Sequence, residues 1–348
     1  MKFLRLAFYI LIAQLVLSGC AGEGVEETSS SSSSEINFDA YLGRNASTRA
    51  GVTDITSLKK SGFGVFARYN HNGATSPLMD NEHVTWNGDR WGYTNTRYWP
   101  NEGSVDFYAF APYLKNVKPV NAPDSIKANP AYIEFTSSTS PVDLVWGAQK
   151  DKKAPTSPTD SKVKFEFKHA LARLAFDITA NQDLEENGAV IKVEKVKLYG
   201  DSVSEDIGAF DIKGYLNLEN GTWSRFVDVG TRAVYTWTPT GAEDGTSFKL
   251  SASQLDHTCK KIENAPNSYL CIIPQEKWSA FYLQITYTVQ QGTFEEEVKV
   301  RKNLLDVHTT PFKFDKGKAY VFHLKLSLDP IDFSISATVG KWDEVKIE

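Results

Sequence analysis

The sequence predicts an all-β chain, and three observations carry that expectation. Aromatic side chains make up 12% of its 348 residues, and aromatic residues favour strands. Short runs alternating apolar and polar residues recur along the chain, the two-residue period of half-buried strands. Gly, Asn and Pro punctuate those runs, and long helical periodicity is scarce. The formal net charge of −5 argues against a nucleic-acid partner, which needs clustered Lys and Arg.

Residues 1–19 read as a signal peptide outside the fold. Lys2 and Arg5 form a positive n-region, and the apolar stretch from Leu6 to Leu17 is too short to span a bilayer. It runs into Leu17-Ser18-Gly19-Cys20, the pattern of a bacterial lipobox. There the cysteine thiol receives a diacylglyceryl group and the chain is cut before it, so Cys20 is the expected lipidation site. Two or three acyl chains hold a protein on a membrane far better than one. Residues 20–35 then form a polar, acidic, serine-rich tether with no apolar face to bury. The 15 residues after the cysteine have an r.m.s. span of roughly 20 Å as a flexible coil.

About 300 residues remain for folded structure, which suggests two domains, expected at 36–160 and 161–348. The first strand is "INFDAYL", in which Ile36, Phe38, Ala40 and Leu42 alternate with polar neighbours. A loop rich in Gly, Asn and Ser follows it and carries Arg44 and Arg49, the setting in which proteolytic nicking concentrates. "GFGVFARYN" is a further strand. Asn87-Gly88 in "VTWNGDRWGY" signals a hairpin, because a type I′ turn needs positive φ at both central residues. Counting outward pairs Trp86 with Asp89, Val84 with Trp91 and Glu82 with Tyr93, which puts Val84, Trp86, Trp91 and Tyr93 on one face. "SVDFYAFAPY" alternates again and stops at Pro112. "KKAPTSPTDS" marks the domain boundary. Beyond it, "VKFEFKHALARLAFDI" changes phase near Ala170 to Ala172, as at a bulge or break, with a short helix as the competing expectation. Strands follow through "VIKVEKVKLYG", "YLCIIP", "FYLQITYTVQ" and "TFEEEVKV" to "KAYVFHLKLSL" and "DFSISATVG".

Chemistry-bearing motifs are missing. The chain has no G-x-S-x-G, no Gly-rich phosphate loop and no H-E-x-x-H, so no enzyme, cofactor or metal is expected. His169 sits in an apolar strand and reads as a packed core histidine, and Asp201, Glu205 and Asp206 read as an exposed acidic turn. Cys259 and Cys271 flank a turn, where a cross-strand disulfide and two buried thiols fit equally. Trp86, Trp91, Tyr93, Tyr98 and Trp99 form an aromatic cluster. Alternation with polar residues favours a core between sheets over a surface platform for sugar rings.

The order of "LSGC", "STRAG", "GFGVFARY", "VTWNGDRWGY", "RYWP", "DFYAFAPY", "FKHALARLAF", "FDKGKAYVFHLKLSL" and the closing "VGKW" resembles the fimbrillin-like family of Bacteroidia, subunits of type V pili. The resemblance implies two tandem transthyretin-like β-sandwich domains and export to the outer membrane as a lipoprotein. It implies cutting by an arginine-specific protease, between Arg49 and Ala50 with Arg44 as the runner-up site, which removes residues 36–49. It implies head-to-tail assembly with other fimbrial subunits into a surface fimbrium, with adhesion to glycans or proteins as its service. The donor strand would come from the C-terminal segment, through Tyr320, Phe322, Leu324, Leu326, Phe333 and Ile335. The alternative is a surface lipoprotein that binds glycans through the aromatic cluster. "DSI" at Asp124 and "DSV" at Asp201 resemble the short O-glycosylation signal of these bacteria, a pattern that also arises by chance.

Metabolic labelling with a fatty-acid analogue tests the lipobox. The wild-type chain should take the label and Cys20→Ala should not.

Overall fold

The computed structural model describes residues 34–42, 55–120, 131–137, 142–157, 162–180, 189–225, 232–238, 248–251, 270–277, 280–307, 312–326 and 334–341. In chain order the strands of the first half are β1 (Asn37–Leu42), β2 (Phe63–His71), β3 (Ala74–Trp86), β4 (Trp91–Gly92), β5 (Ser104–Ala111), β6 (Pro119–Val120), β7 (Tyr132–Thr136), β8 (Val145–Lys152) and β9 (Lys162–His169). The second half adds β10 (Ala172–Ala180), β11 (Val190–Tyr199), β12 (Phe210–Asp211), β13 (Lys213–Asn217), β14 (Trp223–Arg225), β15 (Arg232–Ala233), β16 (Tyr235–Trp237) and β17 (Phe248–Ser251). It closes with β18 (Leu270–Ile272), β19 (Gln275–Lys277), β20 (Tyr282–Gln291), β21 (Phe294–Asn303), β22 (Phe312–Phe314), β23 (Lys318–Leu326) and β24 (Ser334–Lys341). Two short helices are described, α1 (Ile55–Ser61) and α2 (Leu304–Val307). The chain is all-β, as its alternation and aromatic content predict.

Seven strands form the first sheet in the order β1-β9-β8-β5-β2-β3-β4. Nearly every residue of β5 is buried, because both faces of this sheet are covered. One face carries Phe38, Phe63, Val65, Phe107 and Phe165. The other carries Phe66, Tyr108, Phe110 and Trp146, packed against Ile133, Phe135, Leu216 and Leu218. Ile133, Phe135 and Leu216 belong to a four-stranded sheet, β14-β13-β7-β6, in which β7 pairs with β13. The two halves of the chain therefore share a sheet and a core.

The Asn-Gly turns differ from expectation. The type I′ geometry is at Asn72-Gly73, with φ of 49° and 75°, where it joins β2 to β3. At Asn87-Gly88 only Gly88 has positive φ. The Asn87 side chain accepts the N–H groups of Asp89 at 3.1 Å and Arg90 at 2.9 Å, which opens the loop and pairs Trp86 with Trp91. The pairing of Trp86 with Asp89 is thus corrected by two residues. An even slip leaves side chains on the same face, so Val84, Trp86, Trp91 and Tyr93 still pack into one core.

The phase change near Ala170 is a break between two strands, not a helix. Ala170 N–H donates to Leu144 O at 2.8 Å, and Leu171 O accepts from Gly317 N–H at 2.8 Å. Sheet membership changes here. β9 pairs with β1 and β8, whereas β10 pairs with β18 and β23. The Pro/Ser-rich stretch ending near residue 160 therefore precedes the last strand of the first sheet. The apolar set Val163, Phe165 and Phe167 is used to complete that sheet's core.

In the second half, the sheets β18-β10-β23-β24 and β16-β11-β20-β21 face one another. Leu174, Phe176, Phe322 and Leu324 from one meet Ile191, Val196, Leu283 and Ile285 from the other. Gly292, with φ of 59°, opens the two-residue loop between β20 and β21, the first-position glycine that a type II′ hairpin requires. Two-stranded pieces, β12-β15 and β19-β22, complete the described strands.

Cys271 is a free, buried thiol, and Cys259 lies outside the described residues. Burial pushes the Cys271 thiol well up, and the nearby Asp143 charge adds to this. A raised pKa leaves little thiolate at pH 8, and the thiolate is the nucleophile. Iodoacetamide should therefore leave Cys271 unlabelled in native protein and label it after guanidinium unfolding, read by peptide mass spectrometry.

Candidate functional site

β1 closes the first sheet, because it is held on both sides. On one side it runs parallel to β9, from Asn37 opposite Lys162 to Leu42 opposite Phe167. On the other, the residues leading into it meet the segment after β4. Ile36 N–H donates to Arg97 O at 2.8 Å, and Trp99 N–H donates to Ser34 O at 2.9 Å. The Tyr93 hydroxyl donates to Ile36 O at 2.8 Å and accepts from Arg97 N–H at 3.2 Å. Burial pushes this phenol's pKa up, against the opposing effect of the Arg97 bond.

The alternation of "INFDAYL" decides which side chains enter the core. Ile36, Phe38 and Ala40 are 0%, 2% and 5% exposed, whereas Tyr41 is 46% exposed. The Phe38 ring lies between 5.4 and 6.3 Å from the rings of Tyr93, Phe165, Phe107 and Phe63. Aromatic pairs contribute about 0.5–1.5 kcal/mol each beyond area burial, so one side chain of this strand joins rings from three other strands and from the segment after β4. Without β1, these rings would face water and the β9 edge would lose its partner.

The expected donor residues divide between an inner strand and an edge. β23 lies between β10, which is parallel to it, and β24, which is antiparallel. Tyr320, Phe322, Leu324 and Leu326 are at most 2% exposed and build the chain's own sandwich core. Burial pushes the Tyr320 phenol to about 12. Such alternation is what a core strand shows, so it does not mark a spare segment. β24 is the outermost strand of its sheet; Ile335 is half-buried there and Val339 is 53% exposed. Cys20, Arg49, Ala50 and Phe333 lie outside the described residues.

The aromatic cluster is mostly core. Trp91 and Trp99 are buried, Trp86 and Tyr93 half-buried, and Tyr98 alone of the five is exposed. His169 holds a core position with Nδ1 2.9 Å from the buried Asp143 carboxylate. In the acidic turn, Glu205 and Asp206 face Lys197, and Asp201 accepts two backbone N–H groups. Among the described residues, no helix is long and apolar enough to cross a membrane. The clasp of Tyr93 and Arg97 on Ile36 carries no signal in the sequence, since it depends on chain segments brought together only by folding.

A family model described as fimbrillin-like matches residues 48–342. The chain belongs to the fimbrillin-like family. Fimbrium subunit Fim1C of Phocaeicola vulgatus is 32% identical over 190 residues, which is 48% of this chain and 49% of that protein. The match spans about half the length of that relative. A crystal structure of a fimbrial protein from Bacteroides vulgatus shares the fold, with a TM-score of 0.63 at 22% identity, covering 88% of this chain and 99% of that one. A crystal structure of a putative cell adhesion protein from Bacteroides uniformis follows, with a TM-score of 0.51 at 16% identity over 88% of this chain and 99% of that one.

Phe38→Ala should destabilise the intact chain by about 3–5 kcal/mol, because it empties the space between four rings. Asn37→Ala, on the outer face of the same strand, should cost under about 0.5 kcal/mol. Chemical denaturation of the two variants checks the contrast.

Proposed function

We propose that this fimbrillin-like chain is a structural subunit of a cell-surface fimbrium, made as a lipid-tethered precursor whose first strand holds a place for a strand of the next subunit. One observation carries the proposal. β1 is the first described strand, it fills the core at the sheet's closure, and the arginine-bearing stretch 43–54 joins it to the rest. The family match begins at residue 48, after β1 and within the arginine-bearing stretch.

A cut between Arg49 and Ala50 by an arginine-specific protease leaves β1 held by non-covalent contacts alone. Its loss opens an apolar groove beside the free edge of β9. An unpaired edge of this kind recruits another strand, and strand addition fills it with main-chain hydrogen bonds and alternate side chains. β24 of a second subunit is the proposed donor, because it is the outer strand of its sheet while β23 is locked in the core. A groove at one end of each copy and a donor at the other make a head-to-tail contact, which propagates as an open filament. The same cut frees the folded body from Cys20, the proposed anchor in the outer membrane. The folded body comprises two β-sandwich domains joined by the shared sheet of β7 and β13, and its service is adhesion rather than catalysis.

N-terminal sequencing of assembled fimbriae should read from Ala50. The Arg49→Ala variant should accumulate as unassembled precursor. Filaments that retain Ile36 to Leu42 in covalent linkage would overturn the proposal.

A further inference from the structure

The place held by β1 has a size pattern. Its buried positions run Ile36, Phe38, Ala40, with Leu42 half-buried after them: large, large, small, large. Ala40 stands opposite Phe165 in the register. The Phe165 ring is 5.9 Å from each of the Phe38, Phe63 and Phe167 rings, so the buried Ala40 stands opposite a residue packed among aromatic rings.

β24 repeats the end of that pattern. Ile335, Ala337 and Val339 fall at alternate positions along it: large, small, large. We infer that in the assembled polymer Ala337 of one copy takes the place of Ala40 in the next, and that this small position sets the register of the donor strand. The inference rests on the donor-strand proposal above. With Ala337 there, Ile335 and Val339 occupy the places of Phe38 and Leu42 in whichever direction the strand runs. A slip of two residues drives Ile335 or Val339 against Phe165, and overpacking of a filled core is destabilising. A slip of one turns Ser336 and Thr338 inward.

The same geometry supplies a direction for the exchange. At home Val339 is 53% exposed and Ile335 half-buried, whereas the places of Ile36, Phe38 and Ala40 are at most 5% exposed. Backbone bonds given up to β23 are replaced along β9, so their net change is small. Apolar burial in the groove favours the move, against the cover that Ile335 gives up on its own sandwich core.

The test uses full-length chain, cut with trypsin and assembled in vitro. Ala337→Leu should lower polymer yield about tenfold or more through overpacking at the small site, while Val339→Leu assembles as the wild type does. Thermal unfolding of each uncut precursor shows whether the substitution spares the monomer. Adjacent strands lie about 4.8 Å apart, within the range a disulfide spans, so paired cysteines read the register directly. Ser336→Cys combined with Lys164→Cys or Glu166→Cys should give an intersubunit disulfide ladder on gels, and Ser336→Cys with Lys162→Cys should not. A ladder from the Lys162 pair, or normal assembly of Ala337→Leu, overturns the register. If the Ala337→Leu precursor unfolds, the ladders alone decide. Assembly that survives deletion of residues 334–348 overturns the donor proposal itself, whatever the register.

Discussion

The first sheet depends on one insertion, that of Phe38 among Phe63, Tyr93, Phe107 and Phe165. A twisted seven-stranded sheet with an apolar inner face must cover the gap between its first and last strands. β1 does so by pairing with β9 through its own residues and with the segment after β4 through Ser34 and Ile36. The side chains it brings are the ones that the surrounding strands leave room for. In the proposed assembly, stability before cutting and opening of a groove after it would both be properties of the same six-residue strand.

That arrangement reconciles two demands. A subunit that polymerises by strand addition cannot expose its groove before export, because an open edge invites pairing with any passing strand. It also cannot fill the groove irreversibly. In the proposed assembly, cutting the arginine-bearing stretch would meet both demands, since it would turn an intramolecular contact into one that can dissociate. Other parts of the core do not involve β1. β5 is buried on both faces, and the sheet of β7 and β13 ties the halves together through a separate core.

The sequence expectations that failed did so where distance in space mattered more than local pattern. Asn87-Gly88 and Asn72-Gly73 are the same dipeptide, yet only the second forms the tight turn. At the first, Asn87 caps two backbone N–H groups, a choice that flanking residues do not announce. Sheet membership changes at Ala170-Leu171, which no conspicuous local composition marks. β23 and β24 alternate alike, and nothing local separates a strand between two neighbours from one at the edge.

By itself the sequence determined the all-β class, the position of most of the longer described strands, the face that their apolar sets present, and the family to which the chain belongs. These follow from short-range rules, because a pleated strand shows its two faces at alternate residues and a family is written in the order of its motifs. Only the tertiary structure decided that β9 is the partner of β1, that Phe38 is the shared contact of four rings, and that β24 rather than β23 lies at an edge. Each of these is a choice of partner among strands with equivalent alternation. It is settled by how the volumes of Phe, Ala and Leu side chains from distant segments fit one another once the sheet has curled, a quantity that no single stretch of chain contains.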